Sequence, residues 1–199
     1  MTIETPIRVT EPALGKRLAL SVSFADYDRT RALMDGRVKA TGVDLDIKPG
    51  WIGSFCTRPV YEEYDVAEMS MSWYVAARCR GEPVVALPLF PLRMPVHAYF
   101  FCRTESSYGH PAELIGKRVG VPGYRYTVNL WLRGILQDHY GVRPEQLRWI
   151  SGEVEGAGYK VPEHIDYTVQ AGRTAEDMLL SGDVEAILVP EIQIGRAHV

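Results

Sequence analysis

Apolar and polar positions change period several times along the chain, and each change marks an element. Leu18 to Ser23 (LALSVS) reads as a buried strand, and DYDRTRALMDG reads as a helix with Asp26 or Asp28 as N-cap and Gly36 at its C-terminal stop. GVDLDIKPG alternates apolar and polar residues as a second strand. YDVAEMS predicts a third, WYVAARCRG a helix closed by Gly81, and EPVVALPLF a fourth strand. Near PLRMPVHAYFFCRT the pattern restarts: Val96 to Cys102 is strongly β-prone, PAELIG predicts a short helix and KRVGVPG a strand ending in a glycine turn.

The longest periodic stretch runs from Thr127 to Tyr140. It places Val128, Trp131, Leu132, Ile135 and Leu136 on one apolar helical face. LRWISG and VEAILVP are further strands with the helix TAEDMLLSG between them, whereas Gly152 to Gly172 has neither period nor hairpin signal and reads as an irregular excursion. Alternating strands and helices predict an α/β protein with largely parallel pairing, divided into lobes of residues 1–95 and 96–193. In such sheets ligands collect where strands end and helices begin. Three turns qualify: FADYDRT, AEMSMS and VPGYRYTVN.

Composition narrows the class. With 199 residues and 46% hydrophobic content the chain can bury a sizeable core, and a net charge of −3 with scattered arginines gives no basic footprint for nucleic acid. No stretch is apolar over membrane-spanning length, and MTIETPIRVT carries a carboxylate and a proline where an export signal needs basic residues before an apolar run, so the expectation is a soluble, cytoplasmic protein. Cys56, Cys79 and Cys102, an odd number at wide spacing, are expected as reduced, small, buried apolar residues. Ile194 to Val199 matches one reading frame of a sequencing-adapter oligonucleotide and is expected to lie outside the fold, which sets His198 aside.

Candidate chemistry concentrates in the three turns. VPGYRYTVN offers backbone N–H groups at a helix start beside Tyr124, Arg125, Tyr126 and Thr127, suited to a carboxylate, and lacks the phosphate-loop pattern. Thr127 serves equally as a plain helix cap, as do Asp26 and Asp28. Glu68 stands beside an apolar strand end, where a carboxylate reaches solvent or needs partners, with Ser70 and Ser72 close by. No nucleophile-elbow motif supports either serine as a nucleophile. His97 follows FPLRMP at the apparent crossing between lobes; none of His97, His110, His139 and His164 has metal-ligand spacing, so no metal site is expected. Trp51, Trp73, Tyr124 and Tyr126 are candidates to wall an aromatic ligand.

LALSVSFADYDRTRALMDGRV, YDVAEMSMSWYVA, RMPVHAYFFCR, GKRVGVPGYRYTVNLWLRGILQDHYGV and MLLSGDVEAILVP, in that order, resemble the 4,5-dihydroxyphthalate decarboxylase family from Leu18 to Pro190. The resemblance implies a type II periplasmic-binding-protein-like fold, two α/β lobes with the ligand between them. Family chains continue past this point to complete the first lobe, so a C-terminally truncated chain is expected. It also implies a small aromatic carboxylate as ligand and no organic cofactor. Within that implication His97 becomes the proton donor, Glu68 or Asp26 the acceptor for a ring hydroxyl, and the Thr127 helix start with Arg93 or Arg125 the carboxylate cradle. Tyr27, Ser70, Ser72, Tyr124 and Tyr126 complete the expected substrate contacts. The same fold serves transport receptors, so a solute-binding protein for an aromatic or dicarboxylate ligand is the alternative reading.

Overall fold

The computed structural model describes residues 17–50, 60–93, 95–156 and 159–189. Trp51, Cys56 and the segment from Pro190 to Val199 therefore lie outside the described residues. Two compact units divide them, the first running through Glu68 and the second starting at Met69.

The first unit is a three-stranded parallel sheet in the order β2-β1-β3, formed by β1 (Leu18–Phe24), β2 (Val43–Pro49) and β3 (Val66–Ala67), with the helix α1 (Asp28–Met34) between the first two strands. In β2 the alternation is literal: Val43, Leu45 and Ile47 are half-buried while Asp44, Asp46 and Lys48 are exposed. Neither aspartate proposed as N-cap fills that place. Tyr27 is the N-cap of α1, its backbone N–H donating to Thr30 Oγ1 at 2.9 Å, while Asp26 pairs with Arg31 at 3.1 Å. Gly36, at φ 76°, takes the left-handed conformation that ends the helix region, as the sequence predicts.

The second unit is a five-stranded sheet in the order β4-β8-β5-β6-β7, comprising β4 (Phe100–Cys102), β5 (Arg118–Val121), β6 (Arg148–Ser151), β7 (Tyr167–Val169) and β8 (Ala186–Leu188). All pairs are parallel except β4 with β8. Its helices are α2 (Met71–Cys79), α3 (Thr127–Tyr140) and α4 (Ala175–Leu180). Both faces of the sheet are covered. Val119, Val121, Trp149, Ala186 and Leu188 pack with Leu132 and Leu136 of α3, whereas Ile150 and Ile187 pack with Ala175, Met178 and Leu179 of α4. Neighbouring strand positions thus go to opposite cores, which is why these strands read as continuous apolar runs.

Four expectations need correction. EPVVALPLF forms no strand; Pro83, Pro88 and Pro91 withhold ladder donors, and Val85, Leu87, Leu89 and Phe90 stay exposed. The excursion from Gly152 to Gly172 does contain a strand, β7, which adds to the sheet edge beside β6. Only Phe100–Cys102 of the β-prone run is strand, since Val96–Tyr99 winds into a short 3-10 turn. Cys79 and Cys102 are exposed rather than buried, each closing its element.

Helix α3 has the predicted ends, with Gly141 at φ 68° closing it, but its buried face is turned. Asn129, Leu132, Arg133 and Leu136 are enclosed, while Trp131 is 59% exposed. Leu132→Ala is accordingly expected to cost about 3 kcal/mol and Trp131→Ala under about 1 kcal/mol in denaturant unfolding. Equal costs would place the predicted face, not the observed one, against the sheet.

Candidate functional site

Each unit carries its own group of polar side chains at the carboxyl ends of parallel strands. In the first unit Glu68 directly follows β3. Its backbone N–H donates to Ser23 O at 2.8 Å, and its carboxylate accepts the Ala25 N–H at 3.1 Å and the Tyr27 hydroxyl at 2.8 Å. One half-buried carboxylate therefore ties the end of β1 to the end of β3. A carboxylate with two donors is satisfied without leaving the sheet rim, which answers the sequence's ambiguity between core and rim. Asp26 is exposed and turned to Arg31.

The second unit joins three of the predicted residues directly. Ser70 occupies the N-cap position of α2, yet its hydroxyl bonds Thr127 Oγ1 at 2.7 Å, and Thr127 donates to Ser72 Oγ at 3.1 Å. The Ser72 N–H donates to Thr127 Oγ1 at 3.0 Å. Thr127 is thus not the cap of α3, a place held by Tyr126; it fastens the start of α3 to the start of α2. Arg125, 7% exposed, sits over Trp73 with its guanidinium carbon 3.7 Å from the ring centroid, and 5.4 Å from that of Tyr159.

The turn from Pro122 to Arg125 is held from beneath by buried polar side chains. The Ser151 hydroxyl reaches Pro122 O at 3.1 Å, Asn129 Nδ2 donates to Gly123 O at 2.6 Å, and Arg133 donates to Tyr124 O at 2.6 Å. Three successive carbonyls are engaged in this way. The N–H groups of Tyr124 and Arg125 both donate to one carboxylate, Glu155, the second at 3.4 Å. Tyr167 donates its hydroxyl to the same carboxylate at 3.1 Å, and Tyr126 donates to Glu153 at 3.4 Å.

Burial shapes the electrostatics of this group. It pushes the Tyr124 and Tyr159 phenols above their ordinary range and that of Tyr167 up to about 12. Burial also pulls the Arg133 guanidinium down, countered first by Tyr124, on whose ring it stacks at 3.7 Å, and then by Tyr159 and Glu155.

Glu155, Tyr159, Tyr167 and Arg133 were not singled out by the sequence reading. Arg133 carries a signal in hindsight: it sits one turn beyond Asn129 on the face that α3 buries. Arg93 and His97 are exposed and bond to none of the three groups above among the described residues; Arg93 stands 5.9 Å from the Phe90 ring centroid, and His97 lies in the 3-10 turn whose Val96 packs on the core. Among the described residues no group of three or more His, Cys, Asp or Glu could hold a metal ion, and no helix is long and apolar enough to cross a membrane.

No family model matches the chain. Comparison with curated proteins finds 33% identity to a 4,5-dihydroxyphthalate decarboxylase of Comamonas testosteroni, over 87% of this chain and 56% of the relative. A protein of the same description from Pseudomonas putida is 32% identical over 90% of this chain and 73% of its own length. The chain thus spans little more than half of the Comamonas relative. With identity above 30% across nearly three quarters of the Pseudomonas protein, the chain belongs to the 4,5-dihydroxyphthalate decarboxylase family.

Proposed function

We propose that the protein is a carboxy-lyase that removes one carboxylate from an aromatic dicarboxylate such as 4,5-dihydroxyphthalate, giving protocatechuate and CO2. The observation that carries the reading is the turn at Pro122 to Arg125, whose carbonyls are engaged from beneath and whose amides already receive a carboxylate, in a chain of this family. The finer architecture we adopt is the one the resemblance implies, a two-lobed type II periplasmic-binding-protein-like fold with the ligand held in its cleft.

Substrate chemistry sets what the residues must do. Each carboxylate of 4,5-dihydroxyphthalate is para to a hydroxyl, so protonating the ring carbon that bears the carboxylate gives a cation that the para oxygen stabilises. Breaking the bond to the carboxylate carbon then releases neutral CO2 and returns its electron pair to the ring, restoring aromaticity. The chemistry requires a proton donor at the ring carbon, an acceptor for the para hydroxyl, a cradle for the spectator carboxylate and walls that keep water out.

In this proposal His97 supplies the proton. Glu68, oriented by Tyr27, accepts from the para hydroxyl, with Asp26 next in the chain before Tyr27 as the other acceptor. Arg125, on the Trp73 ring, and the turn amides hold the spectator carboxylate, with Arg93 the second cation of the cradle. Ser70, Ser72 and Thr127 position the helix starts beside that cradle, Tyr126 lines it, and Tyr124 contributes its backbone N–H while its ring is buried in the core.

The direct test is CO2 release from 4,5-dihydroxyphthalate by the full-length gene product, with protocatechuate identified as the product. Saturable binding without CO2 release would instead support a solute-binding protein. Glu68→Gln provides a residue-level check. A glutamine keeps the size and can still accept the Ala25 N–H but loses the charge that draws the hydroxyl proton, so kcat is expected to fall about tenfold to a thousandfold. Stability should change by less than about 1 kcal/mol. Unchanged kcat would remove Glu68 as the acceptor.

A further inference from the structure

One carboxylate of the chain itself already sits where the proposed cradle offers its amides. Glu155 Oε1 accepts the Tyr124 N–H and the Tyr167 hydroxyl, and Oε2 accepts the Arg125 N–H. The amides are aimed this way because the opposite edge of the turn is fixed: Asn129, Arg133 and Ser151, all buried, engage the carbonyls of Gly123, Tyr124 and Pro122. A hollow of about 80 Å3 opens here between Pro122, Gly123, Arg125 and Tyr126 on one side and Glu153 and Glu155 on the other. Gly123 keeps the seat close, since a Cβ there would stand 2.9 Å from the Tyr126 ring and 3.5 Å from Glu155 Oε1.

Glu155 lies between β6 and β7. The connection is anchored near its start by Ser151, whose hydroxyl also reaches the carbonyl of Glu153. Its end is anchored by Ile165, which is buried in the core, and by β7. Between these points Glu153 and Glu155 reach back to the turn through their side chains.

We propose that Glu155 is an internal occupant of the amide seat, a carboxylate latch that an incoming ligand carboxylate must displace. This rests on the reading that the turn holds the spectator carboxylate of the substrate. Two carboxylates cannot share the seat, because like charges at hydrogen-bonding distance from the same amides repel. Ligand entry therefore moves the Glu155 side chain out of the seat. The latch lowers apparent affinity by the fraction of molecules in which the seat is occupied, so emptying the seat tightens binding. It also selects for ligands anionic enough to compete, since a neutral aromatic cannot replace the charge on the two amides.

The test is a calorimetric titration of the full-length gene product with phthalate, which keeps both carboxylates and lacks the para hydroxyls that drive decarboxylation. Glu155→Ala and Glu155→Gln are each expected to bind phthalate about tenfold more tightly than the parent. In the parent, the backbone amide resonances of Tyr124 and Arg125 should shift on adding phthalate. Glu155→Gln keeps the side-chain size and decides the matter if Glu155→Ala does not fold. Affinity that is unchanged, weaker or absent in the folded variants overturns the latch. The two readings fail separately. Tighter phthalate binding by the variants in a protein that releases no CO2 from 4,5-dihydroxyphthalate leaves the latch standing and removes the decarboxylase. CO2 release by the parent with weaker binding by the variants does the reverse.

Discussion

His97→Ala should release CO2 from 4,5-dihydroxyphthalate at least about a hundredfold more slowly than the parent, with substrate affinity changed by less than about threefold. General-acid residues contribute roughly 100- to 10,000-fold, and the proposed mechanism has one proton to deliver to one ring carbon. The setting of His97 makes the measurement clean. Its imidazole is exposed and bonds to no other described residue, and the turn that carries it is fixed by Val96 in the core, so truncation should leave stability within about 0.5 kcal/mol. A loss of kcat with an unshifted melting temperature therefore reports on chemistry. Normal turnover would take the proton donor away from His97.

Gly152→Ala should be the most damaging single-methyl change in the second unit, lowering stability by about 4 kcal/mol or more. A Cβ at position 152 would stand 1.7 Å from the carbonyl oxygen of Arg173, and the obstacle is backbone, not the movable end of a side chain. The two segments cannot separate cheaply. Gly152 O accepts the Gly172 N–H at 3.2 Å and Ser151 O accepts the Gln170 N–H at 2.7 Å, so any shift breaks the ladder at the ends of β6 and β7. At about 2–4 °C per kcal/mol for a chain of this size, the melting temperature should drop by roughly 8–16 °C. A drop of only a few degrees would mean that the end of β6 yields more readily than its hydrogen bonds imply. Gly120→Ala is the milder companion, because its Cβ would meet Ile187 and Val184 side chains at 3.1 and 3.3 Å, which can shift.

The sequence was most legible where two independent physical signals agreed. Thr127 to Tyr140 had both a period and a glycine stop, and the structure gives those ends. The enclosed face differs from the one that periodicity predicts because it includes Asn129 and Arg133, polar residues buried to hold the preceding turn; periodicity counts apolar residues and cannot see a polar residue buried for its hydrogen bonds. EPVVALPLF has the apolar content of a strand, but the donors that its prolines lack decide in the fold. The three-residue strand β7 was too short to show alternation. At the candidate site, Glu68 was readable from its position after an apolar strand, and Ser70, Ser72 and Thr127 from the strand-end rule. Glu155 was not, for its partners lie 31 and 30 residues upstream and 12 downstream in segments with no common pattern.

The joint between the starts of α2 and α3 has one further property. Ser70, Ser72 and Thr127 place three hydroxyl oxygens in mutual reach, at 2.7, 3.1 and 3.3 Å. Thr127 donates to Ser72, while the two contacts of Ser70 could each run either way, so the ring of hydroxyls closes in one sense only, from Thr127 to Ser72 to Ser70 and back to Thr127. The weld between the helices is therefore fixed in its polarity as well as in its atoms. Removing any one hydroxyl opens the circuit and leaves the remaining pair a single contact between them.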